Sequence, residues 1–278
     1  MSSPANGPGA IPAAIKDIAQ AFVAARRLAR SLPDYPGTPP RDMDTAYAVQ
    51  DEAIAHWPDE IVGWKVGLVP PPLQAAMGTN RLAGPIFRSG LYQSEGDAPV
   101  RMAAIEGGFA AIEAELVAVC AADAPAGKTD WTLEEAARLI GAWHVGVEFA
   151  ASPLATINDL GPTVVASDFG NNSGLIRGRR VSAAIAADPT SLSCRSFVEG
   201  QEVGAATAIV LPGGPLEAFR FILGLLARRG RPLRAGQLVT TGAITGVHRI
   251  YPGQSGRVEF DDHGGIDIEV TPAEPMSP

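Results

Sequence analysis

The chain has 278 residues, 46% hydrophobic and 19% charged, enough for one large domain or two ordinary ones with a buried core. Its 30 acidic and 22 basic residues leave a net charge of −8, which repels a phosphate backbone and excludes nucleic acid as the main partner. No apolar run approaches the ~18–20 residues that cross a bilayer, which excludes a membrane span, and MSSPANGPGAIPA lacks a secretory pattern, so a cytoplasmic protein is expected.

In chain order, the segment from Ile11 to Ser31 sets Ile15, Ile18, Ala19, Phe22 and Leu28 at helical spacing, with basic residues gathered at its C-terminal end. A proline-rich break, LPDYPGTPPRDMD, follows, and its acidic end opens a second helix over TAYAVQDEAIAHW. Beyond His56 the pattern turns to short Val- and Ile-rich runs bounded by Gly and Pro, which predict strands. These are IVGWKVGLV, AAIEAELVAVC, WHVGVEFAA, PTVVAS, SGLIRG, SLSCRSFVEG with QEVGAATAIV, QLVTTGAIT, SGRVEF and GIDIEV. Two helices interrupt them: TDWTLEEAARLIGAW, with capping-box spacing at Thr132 and Glu135, and PLEAFRFILGLLARRG, with an early Pro and a closing Gly230. The order predicts an α+β fold, with an N-terminal helical region over 1–60 and a β-rich catalytic core over 61–278. The first ten or so residues and the tail TPAEPMSP read as frayed ends.

Cys120 and Cys194 have no CxxC partner and read as core thiols, and the four histidines form no zinc pattern. GxGxxG, P-loop and GxSxG motifs are also lacking. The chemistry lies in charges set inside apolar strands. In AAIEAELVAV, Ile112, Ala114, Leu116 and Ala118 share one face, and Glu113, Glu115, Val117 and Val119 the other. Carboxylates stacked beside valines face away from bulk water and need a cation or a shared proton, unless the strand end simply reaches solvent. Glu148, in WHVGVEFAA, is a third such carboxylate, either on an exposed edge or converging with the first two. Three converging glutamates make a hard oxygen site suited to Mg²⁺ or Mn²⁺.

Lysine occurs only at Lys16, Lys65 and Lys128, and Lys65 stands between Trp64 and Val66 in an apolar strand, where it must pair or snorkel. Such a lysine beside carboxylates suits an enzyme whose substrate is an anion chelated to a metal. SDFGNNSG, with Asp168, Asn171, Asn172 and Ser173, and TTGAITG, with Thr241, are polar stretches that serve either as turns or as substrate contacts. Asn171 and Thr241 are the candidate substrate-binding residues.

The strings GWKVGL, IEAELVAV, GVEFAAS with a following IND, SDFGNNSGLIRG and VTTGAITGVHRIYPGQSGRVEF resemble, in that order, the 2-keto-4-pentenoate hydratase family. That family lies in the fumarylacetoacetate hydrolase superfamily and includes the 4-oxalocrotonate decarboxylases. The resemblance implies a mixed β-roll like that superfamily's C-terminal domain, an N-terminal helical region and a homo-oligomer. It also implies a divalent metal, Mg²⁺ or Mn²⁺, held by Glu113, Glu115 and Glu148, with Lys65 and Ser173 as catalytic residues. One departure stands out: where many hydratases carry an acid, TNRLAGPIF places Leu82 or Ala83, so the lysine's usual proton-transfer partner is missing.

The activity so implied is a metal-dependent lyase that adds water to a 2-hydroxy-2,4-dienoate to give a 4-hydroxy-2-oxo acid. A decarboxylase of a 4-oxalocrotonate-type acid is the nearest alternative, because it needs less proton shuttling. A C–C hydrolase is weaker, since no histidine lies between His56 and His144 to activate water. A metal-binding oligomer without catalysis is the remaining alternative.

Overall fold

The computed structural model describes residues 12–94 and 98–276. The expected frayed N-terminus lies outside them. Helix α1 (Ala13–Arg27) buries Ile18, Ala19 and Phe22 of the expected stripe, with Val23 and Ala25 beside them, whereas Ile15 is half-buried and Leu28, past the helix end, is exposed. It stops short of Ser31 because Ala29 turns to φ 50°. Helix α2 (Met43–His56) starts where expected, with the Asp42 carboxylate accepting the Thr45 N–H. Both helices pack on the rest of the molecule: Phe22, Tyr35, Tyr47 and Val49 share one apolar cluster with Leu82, Phe109, Leu154 and Phe169.

Strand β1 (Ile61–Leu68) leads through the short helix α3 (Pro71–Met77) to β2 (Arg81–Phe87). Sequence patterning misses β2 because its Gly84-Pro85 pair argues against a strand. It forms at the end of its sheet, where Pro85 has one neighbouring strand to satisfy. Strands β3 (Leu91–Gln93), β4 (Val100–Ala104) and the long β5 (Phe109–Cys120) follow.

The helix expected over TDWTLEEAARLIGAW is only α4 (Leu133–Ala137). Its Thr132–Glu135 capping box is present, but Ile140 already begins β6 (Ile140–Ser152). Pairing decides this, because Ala142 and Trp143 sit opposite Val119 and Ala118 of β5. PTVVAS, expected as a strand, is helix α5 (Pro162–Ser167). All six of its residues are buried, so it has no periodicity to read, and Pro162 after Gly161 at φ 98° starts a helix.

The chain continues through β7 (Asn172–Arg180), α6 (Ala183–Ala187), β8 (Ser193–Val198), β9 (Gln201–Thr207) and α7 (Gly214–Arg228). It ends with β10 (Leu238–Thr240), β11 (His248–Arg249), β12 (Ser255–Phe260) and β13 (Gly265–Pro272). The tail is less frayed than expected. Residues 271 and 272 extend the parallel ladder with β4, and the Met276 N–H donates to the Arg27 carbonyl.

Two sheets result. The larger runs β2-β1-β10-β5-β6-β7-β3, with β11 on β5, and the smaller runs β4-β13-β12-β8-β9. Both are mixed and curled, as the resemblance implied. Ile112, Ala114, Leu116 and Ala118 lie in the main core with Trp64, Phe149 and α7. On the other face of β5, Val117 packs with Val62, Ile86, Leu175 and Leu238. Cys120 and Cys194 are free, buried thiols.

Candidate metal centre

The β5–β6 register places Glu113 directly opposite Glu148, and Glu115 opposite Gly146. Directly opposed residues on neighbouring strands share a face, so the three carboxylates converge, with one oxygen from each lying within 4.8 Å of the others. A Cβ on Gly146 would come within 2.6 Å of Val117 Cγ2, so only glycine leaves β6 room beside this face. All three glutamates are buried, Glu115 and Glu148 completely.

Neighbouring strand ends supply the counter-groups. Lys65 Nζ lies 3.2 Å from Glu148 Oε1. Asn172 Nδ2 donates to the same oxygen at 3.2 Å, and Thr240 Oγ1 donates to Glu148 Oε2 at 3.1 Å. The Gly242 N–H donates to Glu115 Oε2 at 2.7 Å. Glu115 Oε1 is buried and has no donor.

One ammonium against three carboxylates leaves the cluster short of positive charge. Burial raises the Glu113 carboxyl to about 7, with Glu148 adding to the rise and Lys65 opposing it. Glu115 is pushed well above the carboxylate range by burial, then by Glu148 and Glu113, with the Gly242 N–H opposing. Burial disfavours the Lys65 ammonium, but Glu148, Glu113 and Glu115 outweigh it and hold its pKa above that of an ordinary lysine. Lys65 is therefore an ammonium that pairs rather than snorkels.

Lys65 is aimed by a close approach of two backbones. Gly84 is its partner on β2, and a Cβ there would come within 1.9 Å of the Phe169 carbonyl oxygen. The turn Phe169–Asn171 can thus lie flat on β2, with all three residues left-handed at φ 53°, 64° and 55°. Non-glycine residues held there carry backbone strain. Packing holds the turn in place: Phe169 meets Phe87 and Trp57 edge-on, and the Arg26 guanidinium lies 5.3 Å from its ring centroid. Arg26 also donates from Nε to Asp168 Oδ1 at 2.6 Å, so Asp168 ties α1 to the core. The turn presents Asn171, whose Oδ1 accepts from Lys65 Nζ at 3.1 Å and whose Nδ2 donates to Asn158 Oδ1 at 3.1 Å.

A cavity of about 480 Å³ opens onto this cluster, with Lys65, Glu113, Asn171 and Asn158 in its wall. Of the residues singled out from sequence, Lys65, Glu113, Glu115, Glu148 and Asn171 come together. Ser173 does not: its neighbour Asn172 bonds Glu148, and both residues line a separate cavity with Arg26, Tyr92 and Met102. Thr241 is likewise displaced by one position. Its hydroxyl donates to the Leu116 carbonyl, and Thr240 bonds Glu148. Thr240 and Thr241 part because successive residues on an extended chain face opposite ways. The alternation that singled out Glu113 and Glu115 could have found Asn172 and Thr240 once the strand registers were known. The two candidates for the missing acid position also separate: Leu82 lines the cavity, whereas Ala83 belongs to the core behind β1.

Solved structures share this fold of a curled mixed sheet with a helical layer outside. 4-Oxalocrotonate decarboxylase from Pseudomonas putida G7, complexed with magnesium and adipate, superposes with a TM-score of 0.76 at 23% identity, covering 92% of this chain and 97% of that one. In sequence, the chain is 27% identical over 217 residues to 2-keto-4-pentenoate hydratase of Paraburkholderia phymatum, covering 74% of this chain and 78% of the relative. It is also 29% identical over 110 residues to a 4-oxalocrotonate decarboxylase of a Pseudomonas species, covering 40% and 42% of the two chains. No family model matches. The resemblance read from the motifs is thus borne out, and its relatives are lyase-type enzymes, hydratase and decarboxylase alike.

Proposed function

We propose that the protein is a divalent-metal-dependent lyase that adds water to a 2-hydroxy-2,4-dienoate of the 2-keto-4-pentenoate type, giving a 4-hydroxy-2-oxo acid. The observation that carries this reading is the buried cluster of Glu113, Glu115, Glu148 and Lys65 on one cavity.

The residues fit a hard cation. The donor set is all oxygen, and Glu115 Oε1 is a buried oxygen without a donor. Glu113, Glu115 and Glu148 would hold Mg²⁺ or Mn²⁺, which when bound supplies Lewis-acid stabilisation of the negative charge that develops on the 2-oxo acid end of the substrate. Thr240 and Asn172 fix the Glu148 carboxylate from both sides. Lys65, aimed by Asn171, attracts the substrate carboxylate and passes a proton to the dienol carbon during tautomerisation. Leu82 in the cavity wall leaves Lys65 without an acid partner at that position. The same leucine is the observation that favours decarboxylation as the second reading, because loss of CO₂ needs less proton shuttling.

Incubation with Mg²⁺ and either 2-hydroxypenta-2,4-dienoate or 2-oxohex-3-enedioate, with water addition and CO₂ release both assayed, decides between them. Hydration of the first substrate is expected. CO₂ release from the second alone would replace this reading with the decarboxylase, and silence with both would leave a metal-binding protein without lyase activity.

A further inference from the structure

The cavity walls differ in chemistry from the buried end to the mouth. Lys65, Glu113 and Asn171 are each at most 5% exposed and mark the buried end. Away from them the wall is Leu68, Leu73, Leu82, Val165 and Val247. Leu68 and Val247 remain 42% and 49% exposed, a cost that a hydrocarbon seated against them would remove. Charge points the same way. Among the described residues no arginine or histidine lines the cavity, and its single lysine stands at the buried end, where the acid function of the substrate binds. The remaining charged wall residue is Asp159, exposed at the rim. A second carboxylate on the substrate would meet no cation here, would lose part of its hydration, and would face the charge of Asp159. The volume of about 480 Å³ falls in the range of sites that take drug-sized ligands and exceeds what a five-carbon acid fills.

We infer that the substrate of this site carries a bulky uncharged hydrocarbon group, alkyl or aryl, at the end remote from its 2-oxo acid function, and that Leu68, Leu73, Leu82 and Val247 select it while Asp159 rejects a dicarboxylate. This inference rests on the lyase reading above for the orientation of the acid end.

The test uses unreactive saturated 2-oxo acids, titrated calorimetrically into the Mg²⁺-loaded protein. Pyruvate probes the acid end alone, 2-oxo-4-phenylbutanoate adds a hydrocarbon end, and 2-oxohexanedioate adds a second carboxylate. The phenyl acid is expected to bind at least about tenfold tighter than pyruvate, as burial of an aromatic ring predicts. The dioic acid is expected to bind no tighter than pyruvate. Asp159→Asn and, independently, Val247→Lys should each tighten the dioic acid several-fold while leaving pyruvate unchanged; both positions are exposed, so the fold tolerates the changes. If pyruvate binds and the dioic acid equals or surpasses the phenyl acid in the unmodified protein, the inference is overturned and the lyase reading stands. If pyruvate shows no Mg²⁺-dependent binding, the lyase reading falls and this inference falls with it.

Discussion

The inner face of β5 carries two chemistries within one strand. Val117 packs against Val62, Ile86, Leu175 and Leu238, a dry apolar end. Glu115 and Glu113, two and four positions earlier on the same face, are as deeply buried, yet they meet Lys65, Glu148 and the Gly242 N–H. Burial is common to both ends, and what differs is the set of groups delivered by other strands. A buried carboxylate persists only where partners arrive from elsewhere in the chain. The carboxylate end therefore depends on β1, β6, β7 and β10 arriving in register, whereas the valine end needs only shape.

Four changes would break or sharpen that contrast. Glu148→Gln has the largest expected effect: loss of Mg²⁺ binding by calorimetry and a drop of roughly 10³-fold in kcat/KM, with the circular dichroism spectrum retained. At the other end, Val117→Asp introduces a carboxylate among Val62, Ile86, Leu175 and Leu238, and urea unfolding should report about 3 kcal/mol or more of lost stability. Equal stability of the two variants would show that the ends do not differ as argued.

Gly84→Ala tests the backbone contact. Its Cβ must displace the Phe169 carbonyl, which moves Asn171 off Lys65, and kcat/KM should fall by about 10²-fold with little change in Mg²⁺ affinity.

The smallest effect is that of pH. Glu113 keeps a proton up to about 7, chiefly because it is buried. A cation must displace the protons that burial holds on Glu113 and Glu115, so Mg²⁺ affinity should weaken as pH falls through about 7, by about tenfold per pH unit for each proton displaced. The unfolded chain releases the Glu113 proton near the ordinary glutamate value of about 4.3. In the metal-free protein the stability linked to Glu113 is thus fully present below that value and lost as pH rises through about 7. Comparison of thermal melts with Glu113→Gln, which does not titrate, isolates this change.

Much of the site was legible in the sequence because a strand's alternation is strict. Glu113, Glu115 and Lys65 stand out as charges among apolar neighbours, and the order of their motifs carries the family resemblance. The errors share a physical origin. PTVVAS and β2 were misread because a fully buried helix shows no period and an edge strand tolerates proline. Asn172 and Thr240 bond Glu148 where Ser173 and Thr241 do not, because the facing of a residue at a strand end depends on where the strand starts.

By itself the sequence determined that the protein has an acidic composition and an α+β make-up, with the carboxylates and one lysine placed in apolar strands. Tertiary structure alone decided that Glu148 stands opposite Glu113, that Asn171 reaches Lys65, and that Leu82 rather than Ala83 faces the cavity. Each of these depends on pairing between segments far apart in the chain, and local pattern holds no information about which strand will be the neighbour.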